Sequence, residues 1–107
     1  MSKVNLLQET LAELANHQKT PMDVTCVGIK DQYVTWEDFA KAADHTYDNG
    51  FGGNEVNLRL VVVGDDWWLE RGEYDGSEWW NFKSHPGYHE PNTTTFEVFN
   101  PYWWEEQ

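Results

Sequence analysis

The chain has few cations, one cysteine and no long hydrophobic run, and each shortage excludes a class of protein. Its 107 residues include 7 Lys and Arg against 19 Asp and Glu, which gives a formal net charge of −12. Because phosphate contacts need clustered cations, we expect no direct binding to nucleic acids or to anionic membranes. Cys26 has no second cysteine with which to form an internal disulfide. No segment approaches membrane-spanning length and no signal-peptide pattern is visible, so we expect a cytoplasmic protein.

Motifs of catalysis and metal binding are scarce as well. The chain has no phosphate-binding loop, no nucleophile elbow and no dinucleotide fingerprint. Cys26 lies in an apolar, β-branched stretch, which is typical of a small buried residue rather than a nucleophile. His85 and His89 have the spacing of a helical metal pair, but Pro86 and Gly87 between them disfavour a helix. We therefore expect no catalytic residue, no bound metal and no cofactor.

Hydrophobic residues are abundant, and many of them are aromatic. Hydrophobic residues make up 39% of the chain and aromatic residues 16%. These fractions are too high for a disordered protein despite the charge. At this length the chain is expected to fold as one domain, residues 1–107, around an aromatic core.

Three Trp-Trp doublets, each next to carboxylates, are the most distinctive feature of the chain: Trp67-Trp68, Trp79-Trp80 and Trp103-Trp104. Successive side chains of a strand point to opposite faces of a sheet. A doublet in a strand therefore places one indole in the core, while the other must be covered by something else or remain exposed.

Two helices and one strand are predicted in the first 50 residues. Apolar residues recur at helical spacing over 4–16, and again from the N-cap residue Thr35 to about residue 48. The β-branched stretch 23–29 predicts a strand, which we place at an edge of the sheet.

The strongest pattern lies in residues 56–83 and predicts a three-stranded antiparallel meander. Its strands are expected at about 56–63, 66–71 and 78–83. The predicted architecture is α+β, with the two helices packed on one face of an antiparallel sheet centred on the meander. Residues 94–99 alternate again and predict either a fourth strand or a cover over the second face.

The predicted registers divide the doublets between the two faces of the sheet. A turn at Gly64-Asp65 pairs Leu60 with Leu69, and a turn at Asp75-Gly76 pairs Leu69 with Phe82. Both registers agree on which face is apolar, and a one-residue slip would destroy that agreement.

Each face then receives its own tryptophans. Trp67 and Trp80 fall on the apolar face as core residues, where Arg71 lies opposite Trp80 and can form a cation–π contact. Trp68 and Trp79 fall on the opposite face. On that opposite face, Arg59 is expected to pair with Glu70.

Trp68 and Trp79 are the first candidate partner-binding residues. Two indoles on one open sheet face can form the centre of a protein interface, because buried tryptophan dominates many interfaces. The alternative is that Tyr102, Trp103 and Trp104 fold back across this face and bury it.

Acidic residues at the ends of the predicted hairpins complete the candidate partner-binding set. They are Asp65, Asp66, Glu73, Asp75 and Glu78. Carboxylates arrayed like the phosphates of a nucleic acid can occupy a basic groove of another protein. The alternative is that the acidity only keeps an aromatic-rich protein in solution.

Two neighbouring segments also carry a resemblance. Residues 63–71 read Val-Gly-Asp-Asp-Trp-Trp-Leu-Glu-Arg, and residues 73–80 read Glu-Tyr-Asp-Gly-Ser-Glu-Trp-Trp. Within the stretch 50–83 they resemble a family of small, acidic, uncharacterised bacteriophage and prophage proteins. The resemblance implies a phage-encoded factor that acts on a host protein, and it gives no residue a role.

The sequence thus predicts a non-catalytic acidic binding protein, of the kind with which a phage inhibits a host protein by occupying its basic, nucleic-acid-binding surface. Two alternatives stay open. One is a structural or assembly protein that self-associates through the Trp-rich sheet face, for example as a homodimer. The other is a small ligand-binding or hydrolytic domain that uses the same face.

Overall fold

The computed structural model describes residues 3–48, 55–87, 90–95 and 97–99. Its elements follow in chain order: β1 (Lys3–Asn5), α1 (Leu6–Asn16), a 3-10 turn (Pro21–Asp23), β2 (Cys26–Ile29), β3 (Gln32–Val34), α2 (Trp36–Ala43), β4 (Thr46–Asp48), β5 (Leu60–Val63), β6 (Trp67–Tyr74) and β7 (Ser77–Ser84). Within the described ranges, neither helix has the length and apolar character needed to cross a membrane.

The first predicted helix forms, but it begins two residues later than expected. Asn5 caps α1, because its side-chain oxygen accepts a hydrogen bond from the Gln8 backbone N–H at 3.0 Å. Val4, which the apolar spacing placed in the helix, lies instead in β1, where it pairs with Tyr47.

The second predicted helix has the expected cap and an earlier end. The Thr35 hydroxyl accepts a hydrogen bond from the Asp38 backbone N–H at 3.2 Å. The helix ends at Ala43 rather than near residue 48, and Thr46–Asp48 form β4 beside β1. Tyr47, which the helical spacing placed on the apolar face of α2, is therefore a buried strand residue.

The main sheet has five strands in the order β3-β2-β5-β6-β7, and each neighbouring pair is antiparallel. Both helices contribute to one core with a single face of this sheet, so the α+β prediction is confirmed. The predicted edge position of β2 is wrong. β3 folds back beside β2 through a two-residue turn, in which Lys30 has a φ of 58°, and takes the edge itself.

The hairpin between β6 and β7 has the predicted register. Leu69 lies opposite Phe82, and the turn is formed by Asp75 and Gly76 with φ angles of 51° and 87°. Positive φ at both positions is characteristic of the tight hairpin turn that matches the twist of the strands.

The register of the hairpin between β5 and β6 differs from the prediction by two residues. Leu69 lies opposite Val62 instead of Leu60, because the turn consists of Asp65 and Asp66. Gly64 closes this turn with a hydrogen bond from its N–H to the Trp67 carbonyl at 2.8 Å. A two-residue shift leaves every side chain on its predicted face, so the division of the tryptophans is unaffected.

The predicted pair of Arg59 and Glu70 does not form. β5 begins at Leu60, so Arg59 and the exposed Leu58 precede the strand. Glu70 lies opposite Val61 on one side and Asn81 on the other.

The predicted fourth strand over 94–99 is likewise not formed by the residues of that stretch that the structure describes. Phe96 and the tail residues Tyr102, Trp103 and Trp104 lie outside the described residues, as does His89. The prediction that this tail covers the second sheet face stays a prediction.

The core prediction for Trp67 and Trp80 is confirmed, since they are only 3% and 5% exposed. The Trp80 indole N–H donates to the Thr10 hydroxyl at 3.0 Å, and that hydroxyl donates to the Leu6 carbonyl at 2.7 Å. The polar group of a buried tryptophan is thus satisfied by α1, which fixes the helix against β7.

Gly64 supplies a test of this packing, because the Trp67 indole lies directly against its Cα. A methyl group at Gly64 would overlap three atoms of the indole ring. We expect Gly64→Ala to lower the free energy of unfolding by about 1–3 kcal/mol, as overpacking does in well-packed cores.

The matched control is Gly87→Ala, since a methyl group at Gly87 meets no atom within 4 Å. Urea unfolding of both variants should show a change of at most about 0.5 kcal/mol for the control. Equal stability of the two variants would contradict the described position of Trp67.

Candidate protein-interaction surface

The sheet has a second face opposite the helices, which we call the outer face. Strand alternation and the observed registers place the following residues on it: Cys26, Gly28, Tyr33, Val61, Val63, Trp68, Glu70, Gly72, Trp79, Asn81 and Lys83. Trp68 and Trp79 therefore share the face that the sequence predicted for them.

Four of these side chains form a cluster at the centre of β6 and β7, which we call the outer quartet. The Trp68 indole N–H donates to Glu70 Oε1 at 2.7 Å, and the Trp79 indole N–H donates to Asn81 Oδ1 at 3.0 Å. Glu70 and Asn81 lie directly opposite each other across the two strands. Each tryptophan is thus oriented by the polar residue two positions further along its own strand.

The quartet presents its two indoles at its ends and its polar groups between them. Trp79 is 38% exposed, and Trp68 is half-buried with its ring 5.2 Å from that of His85. Because Trp79 lies opposite Gly72, the two tryptophans are four residues apart along the sheet, or about 13 Å. The Glu70 carboxylate lies between the two indoles.

The predicted acidic residues lie at the two ends of β6 rather than in one cluster. Asp65 and Asp66 form the turn before β6 and Asp75 lies in the turn after it, and all three are exposed. Glu73 is also exposed, but it lies directly opposite Glu78 and therefore projects from the helix face of the sheet. The strand between the two turns separates Asp66 from Asp75 by about 30 Å. The carboxylates of the two turns flank the outer quartet along its long axis.

The prediction that Glu78 belongs to the partner-binding set is wrong, because its side chain is completely buried on the helix face of the sheet. Its oxygens accept hydrogen bonds from the backbone N–H groups of Glu55 at 2.8 Å and Val56 at 3.1 Å. Glu78 also lies 3.6 Å from the Arg71 guanidinium. The sequence contained the signal, since Glu78 is two residues from Trp80, which lies opposite Arg71.

The Arg71 side chain occupies the centre of a buried polar cluster. Its Nη2 donates to the Tyr47 hydroxyl at 2.9 Å, and its Nη1 lies 3.6 Å from Glu9 Oε2. The predicted cation–π contact with Trp80 is confirmed, at 4.7 Å from the ring centroid. Two carboxylates and an indole thus surround a guanidinium with no exposed surface, while Nε and Nη1 have no hydrogen-bond partner among the described residues.

Burial raises the pKa of Tyr47 above its ordinary value. The hydrogen bond that its hydroxyl donates to Glu9 at 2.6 Å acts in the same direction, because a tyrosinate could not make it. Arg71 lowers the pKa of Tyr47, but by less than the first two effects raise it. Tyr47 is therefore a neutral donor that joins β4 to α1.

The histidine rings near the sheet have partners other than Cys26. His17 stacks on Phe82 and hydrogen-bonds Glu13 at 3.1 Å, and the His85 ring lies 5.2 Å from that of Trp68. Within the described ranges, no three His, Cys, Asp or Glu side chains approach one another closely enough to hold a metal ion.

A groove of about 290 Å³ lies between α2 and the sheet. Its walls are mainly apolar and are formed by Leu6, Ile29, Phe39, Ala42, Ala43, His45, Tyr47, Glu55, Val56, Asn57 and Leu60. Its volume is at the lower limit of small-molecule sites, and none of the candidate partner-binding residues lines it.

No protein-family model, curated protein or solved structure matches the chain. The identification of the outer face as the candidate site therefore depends on its geometry and charge alone. The resemblance of residues 50–83 to phage and prophage proteins stays a prediction.

Removal of the Arg71 guanidinium from the buried cluster is expected to lower the stability of the fold strongly. Arg71→Met should lower the free energy of unfolding by about 3–5 kcal/mol, because it leaves the fully buried Glu78 carboxylate without a cation. Chemical denaturation of the purified variant measures this loss.

A second substitution separates the charge effect from the loss of packing. Glu78→Gln in the Arg71→Met protein should recover part of the stability, because the neutral amide oxygen can still accept from Glu55 and Val56. If the double variant instead loses the sum of the two single losses, the two side chains do not form the pair described.

Because Tyr47 is buried, we expect the free energy of unfolding to fall at alkaline pH. Since its pKa is raised in the folded protein, its contribution is complete below the unfolded value of about 10 and is lost as the pH rises further. The free energy of unfolding of the native protein should therefore fall more steeply above about pH 10 than that of Tyr47→Phe. Parallel pH profiles for the two proteins would contradict the buried position of this phenol.

Proposed function

We propose that the protein is a non-catalytic acidic binding protein whose outer face docks on a basic surface of a protein partner. The observation that carries the proposal is the position of Glu70 between the two outer indoles, on a face with carboxylates at both ends. Aromatic residues at the centre of a contact and charge at its rim are the usual composition of protein interfaces.

The outer quartet is suited to a cationic side chain of the partner. Among the described residues, the Glu70 carboxylate accepts only one side-chain hydrogen bond, from Trp68 to Oε1. An arginine that approaches between the indoles can pair with this carboxylate and stack on an indole face. Arginine is preferred to lysine because its planar guanidinium can do both at once.

The carboxylates of the two turns at the ends of β6 also favour a cationic partner, and they do so over a longer distance than the outer quartet. A net charge of −12 attracts a basic surface before contact, and local carboxylates then orient it. Since Asp66 and Asp75 are about 30 Å apart along β6, the complementary surface is elongated. A groove that binds the phosphate backbone of a nucleic acid has this combination of length and positive charge.

A host protein that handles nucleic acid is the partner class we favour, and inhibition is the expected consequence. The resemblance of residues 50–83 to phage and prophage proteins supports this choice. Because the acidic face and a nucleic acid would require the same cations of the partner, the two would compete for one surface.

Binding of a defined cationic probe tests the proposal directly. We expect a fluorescently labelled oligo-arginine peptide to bind the protein with an affinity that falls steeply as salt is raised. Glu70→Gln should weaken this binding about threefold to thirtyfold, since it removes the charge that the guanidinium meets. The amide oxygen introduced by this substitution can still accept the Trp68 hydrogen bond, so the indole keeps its orientation.

The matched control is Glu37→Gln, which removes one exposed carboxylate from α2 on the opposite side of the sheet. It should change the affinity by much less than Glu70→Gln. The same logic applies to the pair Asp65→Asn and Asp66→Asn against the pair Glu37→Gln and Asp38→Asn. If each substitution and its control weaken binding equally, the negative charge acts without a defined site and the proposal is overturned.

A further inference from the structure

β7 is the last strand in the order of the main sheet, so among the described residues its eight residues have a neighbouring strand on one side only. Tyr74 and Ser77 close the tight turn, so the hydrogen bonds to β6 come from Ser77 and every second residue after it. The His85 N–H, which bonds the Asp66 carbonyl at 3.1 Å, continues this alternation.

The alternate residues Glu78, Trp80, Phe82 and Ser84 therefore direct their backbone N–H and C=O groups away from the sheet. Within the described ranges, none of these groups has a hydrogen-bond partner. Natural proteins normally protect such an edge with a proline, a bulge or charged side chains. β7 has an unbroken register and no proline, and Lys83 is its only exposed charge because Glu78 is buried.

We propose that β7 pairs antiparallel with β7 of a second copy of this chain, about a two-fold axis that passes beside Asn81. Only residues with outward backbone groups can bond across such an edge, which restricts the registers to those that join Glu78, Trp80, Phe82 and Ser84. The register centred on Asn81 uses all four of them, by pairing Trp80 with Phe82 and Glu78 with Ser84 of the second copy. Centring the axis on Trp80 leaves Ser84 unused.

The same register is self-complementary in its side chains. On the outer face it places Trp79 opposite Lys83 of the second copy, and the reciprocal pair forms on the other side of the axis. An indole facing an ammonium group across two strands is a favourable cation–π pair. On the helix face the register places Trp80 opposite Phe82 of the second copy. Lys83 of each copy thus lies opposite Trp79 of the other copy.

Self-association through β7 is distinguishable from the basic-partner contact by its response to salt. Two copies each carry a net charge of −12 and repel each other until salt screens them. Raising the salt concentration should therefore strengthen this dimer, whereas it weakens binding to a cationic probe. The outer face remains accessible, because the paired strands lie side by side in one continuous sheet.

Sedimentation equilibrium of the full chain at low and high salt is the first test. We expect a mass that rises from one copy to two with protein concentration, and a dimer that is favoured at high salt. Asn81→Asp should weaken the dimer by roughly twofold to fivefold, since it sets like charges against each other at the axis and can still accept the Trp79 hydrogen bond. The matched control, Gln32→Glu on the opposite edge strand β3, should leave the dimer unchanged.

A disulfide cross-link tests the register. Across the axis, two copies of residue 81 form a non-hydrogen-bonded pair with Cα atoms about 4.5 Å apart, a distance within the disulfide range. In a Cys26→Ser background, Asn81→Cys should form a covalent dimer on mild oxidation, and Gln32→Cys should not. Circular dichroism of both variants establishes that they are folded.

Three results would overturn the proposal. One is a mass of a single copy at every concentration and salt, with no cross-link at residue 81. Another is a dimer that forms cross-links equally at residues 81 and 32, and the third is a dimer that Asn81→Asp does not weaken relative to Gln32→Glu.

Discussion

The buried Arg71 guanidinium joins elements of the fold that are far apart in the sequence. A cation without exposed surface needs anions around it, and Glu9 of α1 and Glu78 of β7 supply them. Tyr47 of β4 and Trp80 complete the enclosure. One side chain of β6 thereby holds α1, the two-stranded β1–β4 sheet and the neighbouring strand β7 in a single arrangement.

This constraint also decides what the outer face presents. A slip of β6 or β7 by one residue would carry Arg71 or Glu78 to the opposite side and leave its partner buried without an opposite charge. The same slip would exchange the core indoles for the outer ones. The outer quartet therefore has its composition because the buried ion pairs hold the register that excludes Trp68 and Trp79 from the core. Glu78 and Glu70, two glutamates on adjacent strands, differ in role only because they face opposite sides.

The sequence predicts this fold best where the alternation of side chains along a strand decides the face on which a residue lies. It divides Trp67 from Trp68 and Trp79 from Trp80 correctly, and it places Arg71 opposite Trp80. It fails to choose between two turn positions that fit the pattern equally well. Turns at Gly64-Asp65 and at Asp65-Asp66 both leave every side chain on the same face of the sheet. The enclosure of Arg71 could not be predicted in full, because Glu9 and Tyr47 reach it only through the tertiary packing of α1 and β4. The sequence pairs Glu70 with Arg59, whereas the side chain that bonds Glu70 in the structure is Trp68 of the same strand.

We propose that the outer quartet contacts the partner and that the buried indoles do not. The indole N–H resonances of the individual tryptophans, followed by NMR during titration with an oligo-arginine peptide, test it most directly. We expect the signals of Trp68 and Trp79 to shift together and saturate, while those of Trp67 and Trp80 stay in place. A titration that leaves Trp68 and Trp79 unchanged, or that shifts all the tryptophans alike, would contradict it.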